Sequence, residues 1–240
     1  MTKAEKSEIF HLLNTAEGWV SEYRSKLPMP EFTDSPEIPV ITGNFFSIES
    51  ISDSIRACSA CKLCKTRKNT VPGEGPAEIS KIRVLVIGDV PDDDDNTSGK
   101  PFAGKKGQLL DKMLSSISLS REENCYATNI LKCTPSRDSQ SIVSLQNSRD
   151  EVAICLSYLA AQIALIKPEF ILALGQTAAQ ILLGSSEEMT HIHGRFFEYN
   201  GIPLLPTYHP VDLLRDETLK RPAWEDLKSF KERIINVPMD

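Results

Sequence analysis

Three of the six cysteines stand in Cys58-Ser-Ala-Cys61-Lys-Leu-Cys64, two overlapping C-x2-C steps. Thiolates so spaced can reach one metal ion or cluster from a single turn of chain. The run C-x2-C-x2-C-x3-C of an Fe–S site would need a further Cys where Lys68 stands. The remaining thiols must therefore come from Cys125, Cys133 or Cys155. Cys125 falls inside an apolar run and reads as a buried core thiol. Cys133 follows that run and Cys155 lies on the next helical segment. Two ligands near residue 60 and two between 133 and 155 would clamp a loop on to the main domain. Thiolates without a nearby His suit a four-cysteine Fe–S cluster or a structural zinc. Spacing alone does not separate the two metals, and unliganded thiols are the bland reading.

The second stretch with chemical content is Val84-Leu85-Val86-Ile87-Gly88-Asp89-Val90-Pro91, continued by the acids Asp92–Asp95. A continuous apolar run that breaks at Gly reads as a buried parallel strand opening into a loop, and ligands of α/β sheets bind at such ends. No G-x-G-x-x-G follows Gly88, so a dinucleotide site is excluded. Asp92, Asp94 and Asn96 imitate a calcium loop, but Thr97 stands at its turn Gly and Ala103 at its closing Glu, so an EF-hand is excluded. No G-x-S-x-G elbow is present.

Strand-like runs at Ile82–Ile87, Cys125–Leu131, Phe170–Leu174 and Ile202–Pro206 position these groups. Helical segments at Gly107–Ile117, Arg149–Ile166 and Gln176–Leu183 lie between them, with a last at Ala223–Ile235. The alternation predicts βαβ units and a three-layer α/β/α fold around a mainly parallel sheet. Residues 1–50 read apart from the 51–240 domain. Ile9, Leu12, Leu13, Ala16, Trp19, Val20 and Tyr23 trace an amphipathic helix, followed by an extended linker with Pro28, Pro30, Pro36 and Pro39. The net charge is −6, yet residues 1–57 hold nine acids against five bases, so the main domain has room for a basic groove. No apolar run approaches a membrane span and no signal core opens the chain, which predicts a cytoplasmic protein.

The motifs, taken in order, resemble the iron–sulfur (family 4) uracil-DNA glycosylases. The pieces are Cys58-x2-Cys61 with Arg67, Val71-Pro72-Gly73-Glu74-Gly75, the Gly88 loop, Gly99-Lys100-Pro101-Phe102-Ala103-Gly104, Thr128-Asn129-Ile130-Leu131-Lys132-Cys133, His193-Gly194-Arg195, and Tyr208-His209-Pro210-Val211-Asp212-Leu213-Leu214-Arg215. The resemblance implies a four-stranded sheet, a [4Fe–4S] cluster on Cys58, Cys61, Cys133 and Cys155, and a monomer that removes uracil from single- or double-stranded DNA. It further implies that Phe102 stacks on the flipped base, with Val90 beside it, and that Asn129 reads the uracil edge. His209 would donate to a uracil carbonyl oxygen as charge develops on the leaving base. Leu213, Leu214 and Arg215 would enter the duplex, an apolar wedge with a cation on phosphate. Phe102, between Gly99, Pro101 and Gly104, is expected on an exposed loop.

The opening loop departs from the family pattern Gly-Glu-Ala/Gly-Pro-Gly. Asp89 keeps a carboxylate with shorter reach, Val90 occupies an Ala or Gly place, and Asp92 replaces a Gly of left-handed potential. Asp89 or Asp95 would orient water and support the developing cation. Lys62, Lys65, Arg67, Lys68, Lys100, Lys105 and Lys106 would line a phosphate track. The rival from another class is a catalytically weak or silent nucleic-acid-binding Fe–S protein. A relative trapped covalently on the abasic sugar would need a His-containing insertion, and Pro135–Gln140 has none.

Overall fold

A computed structural model describes residues 45–135 and 149–236. The helix expected over residues 1–27, nearly all of the linker and most of the Pro135–Gln140 segment lie outside them. The first described helix, α1 (Ile48–Ala57), begins at a reciprocal cap: the Ser47 hydroxyl accepts from the Ser50 N–H and the Ser50 hydroxyl from the Ser47 N–H. The boundary expected between residues 50 and 51 falls inside this helix. Its Ile51 and Ile55 pack on Tyr158 of a later helix.

The sheet contains β1 (Val84–Gly88), β2 (Cys125–Asn129), β3 (Phe170–Leu174), β4 (Phe197–Tyr199) and β5 (Ile202–Thr207), in the order β2-β1-β3-β5-β4. Four strands run parallel and β4 pairs antiparallel with β5 at the edge. The sheet thus has five strands rather than the four expected. The extra one is three residues long and joined to β5 through Asn200 (φ 51°) and Gly201 (φ 80°), an Asn-Gly hairpin turn.

The helices are α2 (Asp93–Ser98), α3 (Gly104–Ser116), α4 (Arg149–Ile166), α5 (Gln176–Leu183), α6 (Met189–Ile192), α7 (Pro210–Arg215) and α8 (Lys220–Ile235). Alternate residues of β1 serve opposite cores, as the strand period of two requires. Val84 and Val86 face Leu110 and Leu114 of α3 and Leu227 and Phe230 of α8. Leu85 and Ile87 face Leu159 and Ile163 of α4. The three layers follow from this partition.

Candidate active site

The strand order reverses at β1, whose neighbours are β2 and β3, and ligands bind α/β sheets at such a switch point. A cleft of about 610 Å³ opens there, lined among others by Asp89, Val90, Thr177, His209, Asp212 and Arg215. A larger hollow of about 840 Å³ beside α3 includes none of these residues. Four of its charged side chains are mutually paired, Arg121 with Asp111 and Lys100 with Glu74. The cleft at the strand ends is the one with unspent chemistry.

His209 lies two residues past β5 and caps α7, its Nδ1 accepting from the Val211 N–H at 3.2 Å while Pro210 fills the first helical position. With Nδ1 an acceptor, the neutral ring carries its proton on Nε2 and is a donor from that nitrogen. Burial, aided by nearby Lys106, lowers its pKa to about 4, so the ring is neutral at physiological pH. The Phe102 ring stacks on His209 with centroids 5.8 Å apart and planes at 29°.

Phe102 is not on an exposed loop: it is 2% exposed and part of the core, with a left-handed φ of 53°. The glycines around it allow burial instead of exposure. At Gly107 of α3, an added Cβ would overlap the Phe102 carbonyl oxygen, so the helix presses against this strained turn. Gly88 has the same use. A Cβ there would lie 2.5 Å from Asn129 Oδ1 and 2.7 Å from Phe102 Cζ. The bare end of β1 therefore lets the amide of β2 and the aromatic ring converge.

Asn129 is 1% exposed and, among the described residues, its Nδ2 has no hydrogen-bond partner. A buried donor without an acceptor costs roughly 1–3 kcal/mol, which makes the amide a group built to receive a ligand acceptor. Neither Asn129 nor Phe102 lines the cleft itself; both stand behind Gly88 and His209.

The acidic loop is tied into the structure more than sequence suggested. Asp89 Oδ1 accepts from the Ala178 N–H at 2.6 Å, and the Thr177 side chain also bonds to it, so its carboxylate caps α5. Gly175, at φ 97°, makes room, since a Cβ there would be 2.8 Å from Asp89 Oδ2. Asp89 remains partly open to the cleft, yet its carboxyl is closely walled in. Burial pushes its pKa up to about 7 against those hydrogen bonds, with the nearby Asp212 carboxylate adding to the rise.

Asp95 is buried, accepts from the Ala103 N–H at 2.8 Å and pairs with Lys106 at 2.8 Å. It pins the 99–104 turn to α3 and does not line the cleft, so the sequence-based assignment of a water-orienting role to it is corrected. Asp92 caps α2 at φ −94°, and the left-handed conformation expected there is not needed. Val90 lines the cleft and packs at its back on Leu63, Leu131, Cys133 and Cys155.

α7 also divides the expected DNA-facing residues. Leu213 is 2% exposed and sits in the core, so it is an anchor and not a wedge. Leu214 is 47% exposed and Arg215 is exposed at the cleft. The basic track is also smaller than expected. Lys106 is buried between Asp92 and Asp95, Lys62 pairs with Glu151 and Lys100 with Glu74, while Lys65, Lys68 and Lys105 stay exposed.

Cys61 packs with Cys133 and Cys155 around Leu63 and Leu131, and Cys58 packs beside Ile55 and Tyr158. Arg67 Nη1 donates to Cys133 Sγ at 3.2 Å and Nη2 to the Cys58 carbonyl at 2.5 Å. Cys125 is a core thiol, as read, with burial pushing it up to about 12. Among the described residues no three His, Cys, Asp or Glu side chains stand in a metal-holding arrangement. The donors nonetheless suit a soft metal: thiols only, with one cation already donating to sulfur.

Two groups escaped the sequence reading. Asp212 lines the cleft, takes a hydrogen bond from the His209 backbone N–H and has its pKa raised by burial. Lys132 is buried beside Asn129, and burial lowers its pKa to about 7. Asp212 sits one turn after the His-Pro step, which was the available signal. A Lys three residues past the end of β2 gave none.

The uracil DNA glycosylase superfamily model matches residues 73–228, from the Gly73 turn into α8. The chain is 33% identical over 203 residues to the type-4 uracil-DNA glycosylase of Saccharolobus solfataricus, covering 80% of this chain and 89% of that one. It is 32% identical over 191 residues to the type-4 enzyme of Thermotoga maritima, covering 78% and 94%. The corresponding protein of Pyrobaculum aerophilum is 33% identical over 191 residues, covering 76% and 92%. With the switch-point cleft, the Gly88–Asn129–Phe102 convergence and the His-Pro cap in place, the chain belongs to the uracil-DNA glycosylase superfamily, among its type-4 members.

Proposed function

We propose that this protein hydrolyses the N-glycosidic bond of uracil in DNA and leaves an abasic site. The observation that carries the reading is the unpartnered Nδ2 of Asn129, set behind Gly88 against the Phe102 ring and near a neutral His209. An amide that both donates and accepts matches the edge of uracil, and an aromatic ring beside it offers a stacking face once the nucleotide leaves the helix. As the bond breaks, electrons move to the uracil ring. The Nε2–H of His209 is then placed to stabilise the oxyanion without transferring its proton. Water attacks the sugar carbon from the carboxylate side, where ionised Asp89 orients it, supports the positive charge and takes the proton the water loses; Asp95 acts only by fixing the Phe102 turn.

Leu214 would hold open the gap left by the flipped nucleotide, with Arg215 on phosphate. Cys58, Cys61, Cys133 and Cys155 would hold a [4Fe–4S] cluster, which would brace the 58–67 loop against β2 and α4; zinc is the rival metal. Freshly purified protein should be brown, and a colourless sample with stoichiometric zinc would overturn the cluster. We place the protein in the cytoplasm as a monomer on uracil-containing DNA; separately, no helix among the described residues is long and apolar enough to cross a membrane.

The test is release of uracil from single- and double-stranded oligonucleotides. DNA binding without base release would favour the silent nucleic-acid-binding reading, which the capping of α5 by Asp89 makes worth testing.

A further inference from the structure

Lys132 is 1% exposed, yet its ammonium bonds only to neutral acceptors among the described residues. Its three donors go to Thr128 Oγ1 at 2.6 Å, the Asn129 carbonyl at 2.8 Å and Gln162 Oε1 of α4 at 2.9 Å. The shell continues outward. The Thr128 hydroxyl and Gln162 Nε2 both donate to the Pro72 carbonyl, at 2.9 and 2.8 Å, and the Val71 N–H donates to the Lys132 carbonyl at 2.8 Å. One buried cation thus joins the end of β2, the 71–75 turn and α4.

A dry core is an expensive place for a lysine without a carboxylate partner. The arrangement therefore makes better sense for what it holds than for stability. What it holds directly is the backbone of Asn129, whose side chain ends in the unpartnered Nδ2. The side-chain oxygen of that amide is confined by Gly88, and the main-chain carbonyl is confined by Lys132. Between them the direction of Nδ2 is set before any ligand arrives.

We propose that Lys132 is a positioning residue for base recognition, aiming the Asn129 amide by fixing the Asn129 carbonyl. This rests on the reading of Asn129 as the group that meets uracil.

The experiment compares wild type with Lys132→Met in four measurements: thermal midpoint, kcat, inhibition by free uracil and affinity for abasic-site DNA. Displacing a reacting geometry by about 1 Å costs up to roughly 100-fold. The Met variant is expected to lose between about 10- and 100-fold in kcat and a similar factor in uracil inhibition. Its thermal midpoint should fall, because three buried acceptors lose their donor, and its affinity for abasic-site DNA should be unchanged. A folded Met variant with wild-type kcat and uracil inhibition would overturn the proposal, as would a loss of abasic-DNA affinity in proportion to kcat. Should Met fail to fold, Lys132→Gln, which keeps a neutral donor, is judged by the same split. If wild-type protein neither releases nor is inhibited by uracil, the Asn129 reading falls first and takes this proposal with it.

Discussion

Asn129, Phe102 and His209 form one half of the site and Asp89, Asp92 and Asp95 the other, and the two halves are committed differently. In the first, local structure consumes the groups a ligand does not need and leaves the useful ones free. His209 spends Nδ1 on the α7 cap and keeps Nε2, and Asn129 is held at its carbonyl and keeps Nδ2. In the second, structure takes the carboxylates themselves. Asp95 is locked between Ala103 and Lys106, Asp92 caps α2, and Asp89 gives one oxygen to the N-terminus of α5. Chemistry assigned to the acids must work with what those bonds leave over.

Breaking the first half should therefore hurt most. Removing a preorganised donor to a developing oxyanion costs about 10²–10³ in kcat. His209→Ala is expected to lose that much in uracil release while still binding uracil-containing DNA. Gly88→Ala comes next, because its methyl would meet Asn129 Oδ1 at 2.5 Å and Phe102 Cζ at 2.7 Å. About 1 Å of displacement predicts roughly a 100-fold loss. A Gly88→Ala variant with near wild-type kcat would show that the two groups do not converge on one base.

The acid half should show itself through pH. Burial holds Asp89 near 7, whereas His209 stays neutral down to about 4. Activity that needs ionised Asp89 should rise as pH increases through about 7, with no contribution from His209 in that range. Asp89→Asn should remove this limb and lower the plateau by roughly 10- to 100-fold, less than a fully free general base would supply.

Stability carries the matching sign. Folded Asp89 keeps its proton to about 7 while the unfolded chain releases it near the ordinary 3.8. Its contribution is thus fully present below 3.8 and lost as pH rises through about 7. His209 acts oppositely below its ordinary 6.5, stability falling as pH drops towards 4. Denaturant midpoints for wild type and Asp89→Asn from pH 4 to 8 separate the two slopes. A fall in midpoint with rising pH that survives in Asp89→Asn would shift attention to Asp212, the other cleft carboxylate, whose pKa burial also raises.

The same contrast explains what was legible in the sequence. Strand runs such as Val84–Gly88 and Phe170–Leu174 are buried on both faces, and continuous apolar residues announce that directly. β4 is half-buried and three residues long, and it went unread although Asn200-Gly201 is a hairpin-turn signal. Among site residues, identity was readable and commitment was not. The motif places Phe102 in a glycine-rich turn, but whether the glycines expose the ring or bury it depends on how closely α3 approaches. Asp95 and Lys106 are eleven residues apart in sequence, and their ion pair exists only because α2 turns back on α3. Lys132 stood in the Thr128–Cys133 motif without a role, because a lysine after a strand is ordinarily a surface residue.

The smallest expected effect separates the two leucines of α7. Leu213 packs in the core, so Leu213→Ala should cost about 2–5 kcal/mol of stability through its cavity. Single- and double-stranded substrates should be affected alike. Leu214 is exposed, and Leu214→Ala should leave stability within about 0.5 kcal/mol of wild type. If Leu214 props the gap in a duplex, its loss should slow excision from double-stranded DNA several-fold and leave single-stranded excision unchanged, because single strands have no stack to hold open. Equal slowing on both substrates would place Leu214 against the nucleotide itself and not in the gap. No slowing on either would leave Arg215 and the exposed lysines to carry DNA engagement.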